Sequence, residues 1–427
     1  MLLSKYKIWL KNLLLLFLTC IFIIIICELL LSLFIWRIDN QIEPNSPKAR
    51  IYGWAPYPKA KMKMRPPDSP RNFYFKTNSQ GWKDVEHSRG KRPGVFRILI
   101  IGDSHTYGFV PLEETYHRRL EKILRARIGR EIEVIGVGVC GWGTDQELEF
   151  LQREGLDYQP DVVICQFSEN DLIDNTIPDE SKPTSADRQE KRFKYTIKDG
   201  ALHKIKFSQL EGGIIDDIKT WVKRSALYYE INLLKFHLKQ RTSKGDRSDR
   251  ENFLSKIRLF YQFLNPQSPK STEAAQNYTM IMNSWMVWEK LAVEMQNLCD
   301  KQGIKFMIFS ESADSSLRKW HVDNGWIFSV ENKDFITIGG DTVEVDLDLI
   351  NNRLNEICRR NNIEVIPAVR EYDRFTSDRH HSSLGNLHMA EDIADYLLSR
   401  PWWETDLEKI EVINSKSGTK TKGIESR

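Results

Sequence analysis

Nearly every residue from Leu13 to Trp36 is apolar. As a helix, at roughly 1.5 Å of rise per residue, such a run is long enough to cross the hydrocarbon layer of a membrane. Lys5, Lys7 and Lys11 precede it. By the positive-inside tendency they put residues 1–12 in the cytoplasm and the bulk of the chain on the extracytoplasmic side, periplasmic or outer face. A cleaved signal peptide would carry a shorter apolar region followed by a small-residue cleavage motif. Arg37-Ile38-Asp39-Asn40 is no such motif, so residues 13–36 read as an uncleaved single-pass transmembrane helix. Glu28 sits inside the run, where a carboxyl group stays protonated or finds a partner.

After the anchor the pattern loses its period. Seven prolines between Pro44 and Pro70 interrupt any long element, so residues 37–95 read as a juxtamembrane linker that then wraps onto a domain. From Phe96 short apolar runs alternate with amphipathic stretches. The runs are 97–101, 133–139, 161–167, 304–310 and 363–367, each of the length and composition of a strand buried on both faces. Helical spacing marks 113–128, 145–155, 278–302, 346–361 and 385–399. This alternation predicts an α/β domain over 96–403, a three-layer, doubly wound (flavodoxin-like) parallel sheet of about five strands. Residues 175–277 break the rhythm and read as a largely helical insertion, and the polar residues 404–427 as a disordered tail.

Composition adds little except exclusions. With 62 basic and 59 acidic residues among 427, the net charge of +3 calls for no nucleic acid partner. Six cysteines are spread without metal-ligand or disulfide-framework spacing, and those outside the anchor read as small buried hydrophobes.

The chemistry gathers at the ends of the predicted strands, where open α/β sheets bind ligands. Gly102-Asp103-Ser104 follows the first strand and enters a helix. Gly141 follows the second strand, and its missing side chain leaves room for a backbone N–H to approach a substrate. Asn170, in Ser168-Glu169-Asn170-Asp171, follows the third and can donate its amide to a developing oxyanion. Asp378-Arg379-His380-His381 follows the fifth and enters the last helix. A serine hydroxyl needs a base to take its proton and a third group to orient that base; Asp378 and His380 can supply both. Each signal alone is commonplace. Four of them in order, each at a strand's carboxyl end, are not.

These blocks resemble the SGNH (GDSL-type) hydrolases over about residues 96–175 and 304–398, of a membrane-anchored bacterial type. The resemblance implies Ser104 as nucleophile, His380 as base and Asp378 as its partner. It also implies an oxyanion hole made of the Ser104 N–H, the Gly141 N–H and the Asn170 side chain, with no metal or other cofactor. The substrate it implies is an acyl ester, of carbohydrate, lipid or a small alcohol. An O-acyltransferase modifying an envelope polysaccharide, or a non-catalytic glycan-binding or assembly protein on the same scaffold, is the alternative. His105 stands where the family often has Leu or Phe, Ser168 where glycine is common, and Gly136 where an Asn often precedes the second-block glycine. His381 offers the competing spacing Asp378-x-x-His381, but Gly385, five residues beyond His380 at the start of the last helix, fits His380 better.

Overall fold

In a computed structural model the chain is described over residues 2–34, 37–38, 48–175, 193–206, 272–311, 327–330, 333–338, 341–346 and 348–403, with isolated positions between. The first element is a helix, Leu2–Phe34. Its Trp9–Leu31 stretch, 23 residues of mean hydropathy 3.1, is long and apolar enough to cross a membrane, and none of it is buried in the protein.

The strands in chain order are β1 Arg37–Ile38, β2 Lys61–Met64, β3 Phe73–Lys76, β4 Phe96–Gly102, β5 Ile132–Gly138, β6 Val162–Phe167, β7 Phe193–Lys198, β8 Ala201–Lys206, β9 Lys305–Ser310, β10 Ile327–Val330, β11 Lys333–Ile338, β12 Asp341–Val345 and β13 Glu364–Ile366. Five of them form the central sheet in the order β13-β9-β6-β4-β5, every neighbour parallel. These are the five apolar runs read from the sequence, in the doubly wound order expected. Every residue of β4 is buried, as a strand covered on both faces requires. Even Arg97 is enclosed, its guanidinium donating to Glu133 Oε2 at 2.9 Å and to the Tyr158 carbonyl.

Apolar helix faces cover the sheet on both sides. One face packs Trp288, Leu291 and Met295 of the long helix Thr272–Asp300 with Leu148 and Phe150. The other packs Tyr116, Leu120 and Leu124 with Met389, Ile393 and Leu397 of the last helix, Ser383–Leu398. The strand order reverses between β4 and β6, so the crevice at their carboxyl ends is the ligand position of this topology.

Two expectations need revision. The segment from residue 48 is more than a linker: Tyr52, Trp54 and Trp82 are fully buried against Trp142 and Phe150. The Trp54 and Trp142 indoles each donate to a backbone carbonyl, of Cys140 at 2.9 Å and of Trp54 at 3.1 Å. Within the insertion, residues 193–206 are not helical either. β7 and β8 form an antiparallel hairpin around Asp199-Gly200, both with positive φ (52° and 76°), the tight turn that Asp-Gly favours. Phe193 and Tyr195 anchor the hairpin in the core. Nearly all of residues 207–271, and all of 404–427, lie outside the described residues.

Candidate active site

β4 ends at Gly102, and the chain turns directly into a four-residue helix, Ser104–Tyr107. Asp103 caps it, its buried Oδ1 accepting the His105 N–H at 2.9 Å. The Ser104 N–H is thus among the first donors of a helix, the groups that lack an intrahelical acceptor. Val139, just past β5, donates to the Gly102 carbonyl at 3.2 Å and ties the next turn to this strand end. Gly141 lies in that turn with φ of 72°, a conformation side chains rarely adopt.

Across the crevice, His380 Nε2 lies 2.8 Å from Ser104 Oγ, and His380 Nδ1 is hydrogen-bonded to Asp378 Oδ1. The same Asp378 oxygen accepts the His380 backbone N–H at 2.9 Å, so one carboxylate holds both the ring and the main chain. The imidazole is wedged between two neighbours, with its centroid 4.2 Å from Phe109 and 4.8 Å from His105. Burial pushes the Asp378 carboxyl up, but the hydrogen bonds and charge of His380 outweigh it and hold the group below its usual range. With Nδ1 carrying a proton toward Asp378, Nε2 is free to accept from Ser104.

Asn170 is near but otherwise engaged. Its amide donates to Asp103 Oδ2 at 3.0 Å and to Asp174 Oδ2 at 2.9 Å, and its oxygen accepts from Arg379 at 3.3 Å. Arg379 also pairs with Glu169 at 3.2 Å, linking the loop after β6 to the loop that carries His380. Burial raises the Asp103 carboxyl, partly offset by bonds from the His105 N–H and Asn170.

His381 is turned the other way. It is buried, and its Nε2 is hydrogen-bonded to Glu311 Oε2. Burial, with Arg374 nearby, lowers its pKa to about 4, so the ring is neutral. Glu311 was not singled out from the sequence: a lone acid after an apolar run carries no motif, and only its place at the carboxyl end of β9 marks it. It also accepts from Arg374 at 3.1 Å and lies 3.6 Å from His105 Nε2. Among the described residues, His105, Glu311 and His381 are the one cluster whose ligand atoms, all within 4.8 Å of one another, could hold a metal. The Arg374 guanidinium on the same carboxylate already neutralises it and would repel a cation. Asp68 was missed as well. From the turn between β2 and β3 it accepts from the Thr376 hydroxyl at 2.8 Å and the Ser377 N–H at 3.1 Å, immediately before Asp378.

Residues 100–246 match the model of the GDSL-like Lipase/Acylhydrolase family. No curated protein sequence matches the chain. Among solved structures, an acetyl xylan esterase is 14% identical over 70% of this chain and 99% of its own, with a TM-score of 0.31. A lipase/acylhydrolase from Enterococcus faecalis is 12% identical over 71% and 95%, with a TM-score of 0.33. A GDSL-like lipase from Bacteroides thetaiotaomicron is 10% identical over 73% and 88%, with a TM-score of 0.26. Likeness at this level says nothing about substrate.

Proposed function

We propose that the chain is a membrane-anchored serine ester hydrolase that acts outside the cytoplasm on acyl, above all acetyl, esters of cell-envelope carbohydrate or lipid. The observation that carries this reading is the unbroken relay from Ser104 Oγ through the His380 ring to Asp378. The family match over residues 100–246 supports the same chemistry.

In this mechanism His380 Nε2 takes the Ser104 proton as Oγ attacks the ester carbonyl carbon. Asp378 keeps the ring in the productive tautomer and stabilises the imidazolium that forms. The carbonyl oxygen becomes an oxyanion facing the N–H groups of Ser104 and Gly141. Asn170 joins them by releasing Asp103 or Asp174 when the substrate enters, since its amide is committed to both. His380 returns its proton to the departing alcohol and leaves an acyl group on Ser104. It then draws a proton from water as the water oxygen attacks the acyl carbon, and returns it to Ser104 Oγ as the bond to serine breaks and the acid leaves.

The test is turnover of a panel of short acyl esters and acetylated sugars by the full chain in detergent, beside Ser104→Ala. Loss of turnover in a folded Ser104→Ala protein is expected; no turnover of any ester by the parent chain would count against hydrolysis. Location is tested separately. A reporter fused after Arg427 should be active only outside the cytoplasm, and a cytoplasmic signal would overturn that part.

A further inference from the structure

The catalytic loop has a neck. Arg374 and His381 face each other as an isolated antiparallel bridge, and Phe375 N–H donates to the His380 carbonyl at 3.0 Å. Residues 375–380 are the closed loop beyond it, and both Asp378 and His380 hang from that loop. The two neck residues converge on one buried carboxylate: Glu311 Oε2 accepts from Arg374 at 3.1 Å and is hydrogen-bonded to His381 Nε2. The other oxygen, Oε1, faces His105 Nε2 at 3.6 Å. His105 in turn lies against His380 and His381, with centroids at 4.8 Å and 5.1 Å.

We infer that Glu311 is a positioning residue for the reaction: from the rigid end of β9 it clamps both ends of the loop that carries Asp378 and His380 and so sets the base against Ser104. This rests on the reading of Ser104 and His380 given above. A fully buried carboxylate is costly, and an apolar pair of the same volume would hold the two elements together at no loss of stability. What apolar packing lacks is direction. Two hydrogen bonds from the neck to one carboxylate oxygen, from Arg374 and His381, fix the neck's height and rotation, and a loop misplaced by about 1 Å can cost on the order of 10²-fold in rate. The groups facing Glu311 are Arg374, His105 and His381, with His380 behind His105.

The experiment uses the full chain in detergent with a p-nitrophenyl acetate assay, active sites being counted by a fluorophosphonate that labels the serine. Glu311→Gln keeps the volume but loses the charge and one acceptor. The double variant Glu311→Gln with Arg374→Gln removes both charges together, so no lone buried ion remains to unfold the protein. In both, kcat per folded molecule is expected to fall about 10- to 100-fold with KM changed no more than about twofold, and the fluorophosphonate rate should fall in parallel. A purely structural role would lower the melting temperature and leave kcat per folded molecule intact; that result in the double variant overturns the inference. Parent protein that carries one equivalent of zinc, lost in His105→Ala, also overturns it. Ser104→Ala, run alongside, separates the premises. If it stays active, the reading of the site fails; if it is dead while the Glu311 variants turn over normally, the clamp alone fails.

Discussion

The two adjacent histidines give the sharpest contrast this structure offers. His380→Ala removes the group 2.8 Å from Ser104 Oγ, leaving the hydroxyl without its proton acceptor. A positioned general base is worth about 10²- to 10⁴-fold, and triad members lose their effect as a unit. We therefore expect kcat/KM to fall by at least about 10³-fold, or about 4 kcal/mol of barrier. His381→Ala removes no reacting group. It takes one hydrogen bond from the buried Glu311 carboxylate, which keeps Arg374, so it should cost about 1–3 kcal/mol of stability and roughly tenfold in kcat through the loosened neck. The assay is kcat and KM on p-nitrophenyl acetate, with melting temperature measured on the same samples. An inactive His381→Ala beside an active His380→Ala would refute this reasoning and make Asp378-x-x-His381 the pair.

Three further outcomes follow from the geometry. If its amide turns from Asp103 or Asp174 to the oxyanion, Asn170→Ala should lower kcat by up to about 10²-fold, the scale for losing one oxyanion donor, with KM little changed; a loss confined to KM would make Asn170 a binding residue. Trp82→Ala should cost about 3–5 kcal/mol, because the ring is fully buried against Trp142 and Phe150, and a melting temperature within a degree of the parent would return residues 48–95 to a linker. Stability should fall with pH between about 6.5 and 4, since His381 and His117, both buried, ionise only near 4 when folded but near 6.5 when unfolded, so the unfolded chain binds the extra protons. At 1.36 kcal/mol per pH unit each contributes about 3 kcal/mol at most, read as the drop in urea midpoint from pH 7 to 4.5; a flat midpoint would contradict the neutral, buried assignment.

The central sheet was legible because buried parallel strands write themselves as unbroken apolar runs. Phe96–Gly102 and Val162–Phe167 needed no context to be read. The hairpin at Asp199-Gly200 was not read, although strand residues alternate on each side of an Asp-Gly turn, because the charged surroundings carry no apolar run. The core role of Trp54 and Trp82 was hidden for another reason. Prolines around them signal irregular backbone, and irregular backbone can still carry aromatic rings into a distant core. At the site, Ser104, Asp378 and His380 could be named because nucleophile, base and partner sit at strand ends in chain order. Glu311 and Asp68 could not. Each acts only through residues dozens to hundreds of positions away, and a single carboxylate has no spacing to betray it.

Everything proposed here for the reaction passes through Ser104 Oγ. The most direct measurement is therefore ester turnover by Ser104→Ala in the full chain, with folding verified by circular dichroism and fluorophosphonate labelling mapped by mass spectrometry. The parent protein is expected to take one adduct, on the peptide containing Ser104, and the variant none while losing at least about 10³-fold in kcat/KM. A folded Ser104→Ala protein that hydrolyses the ester at the parent rate would contradict Ser104 as the nucleophile.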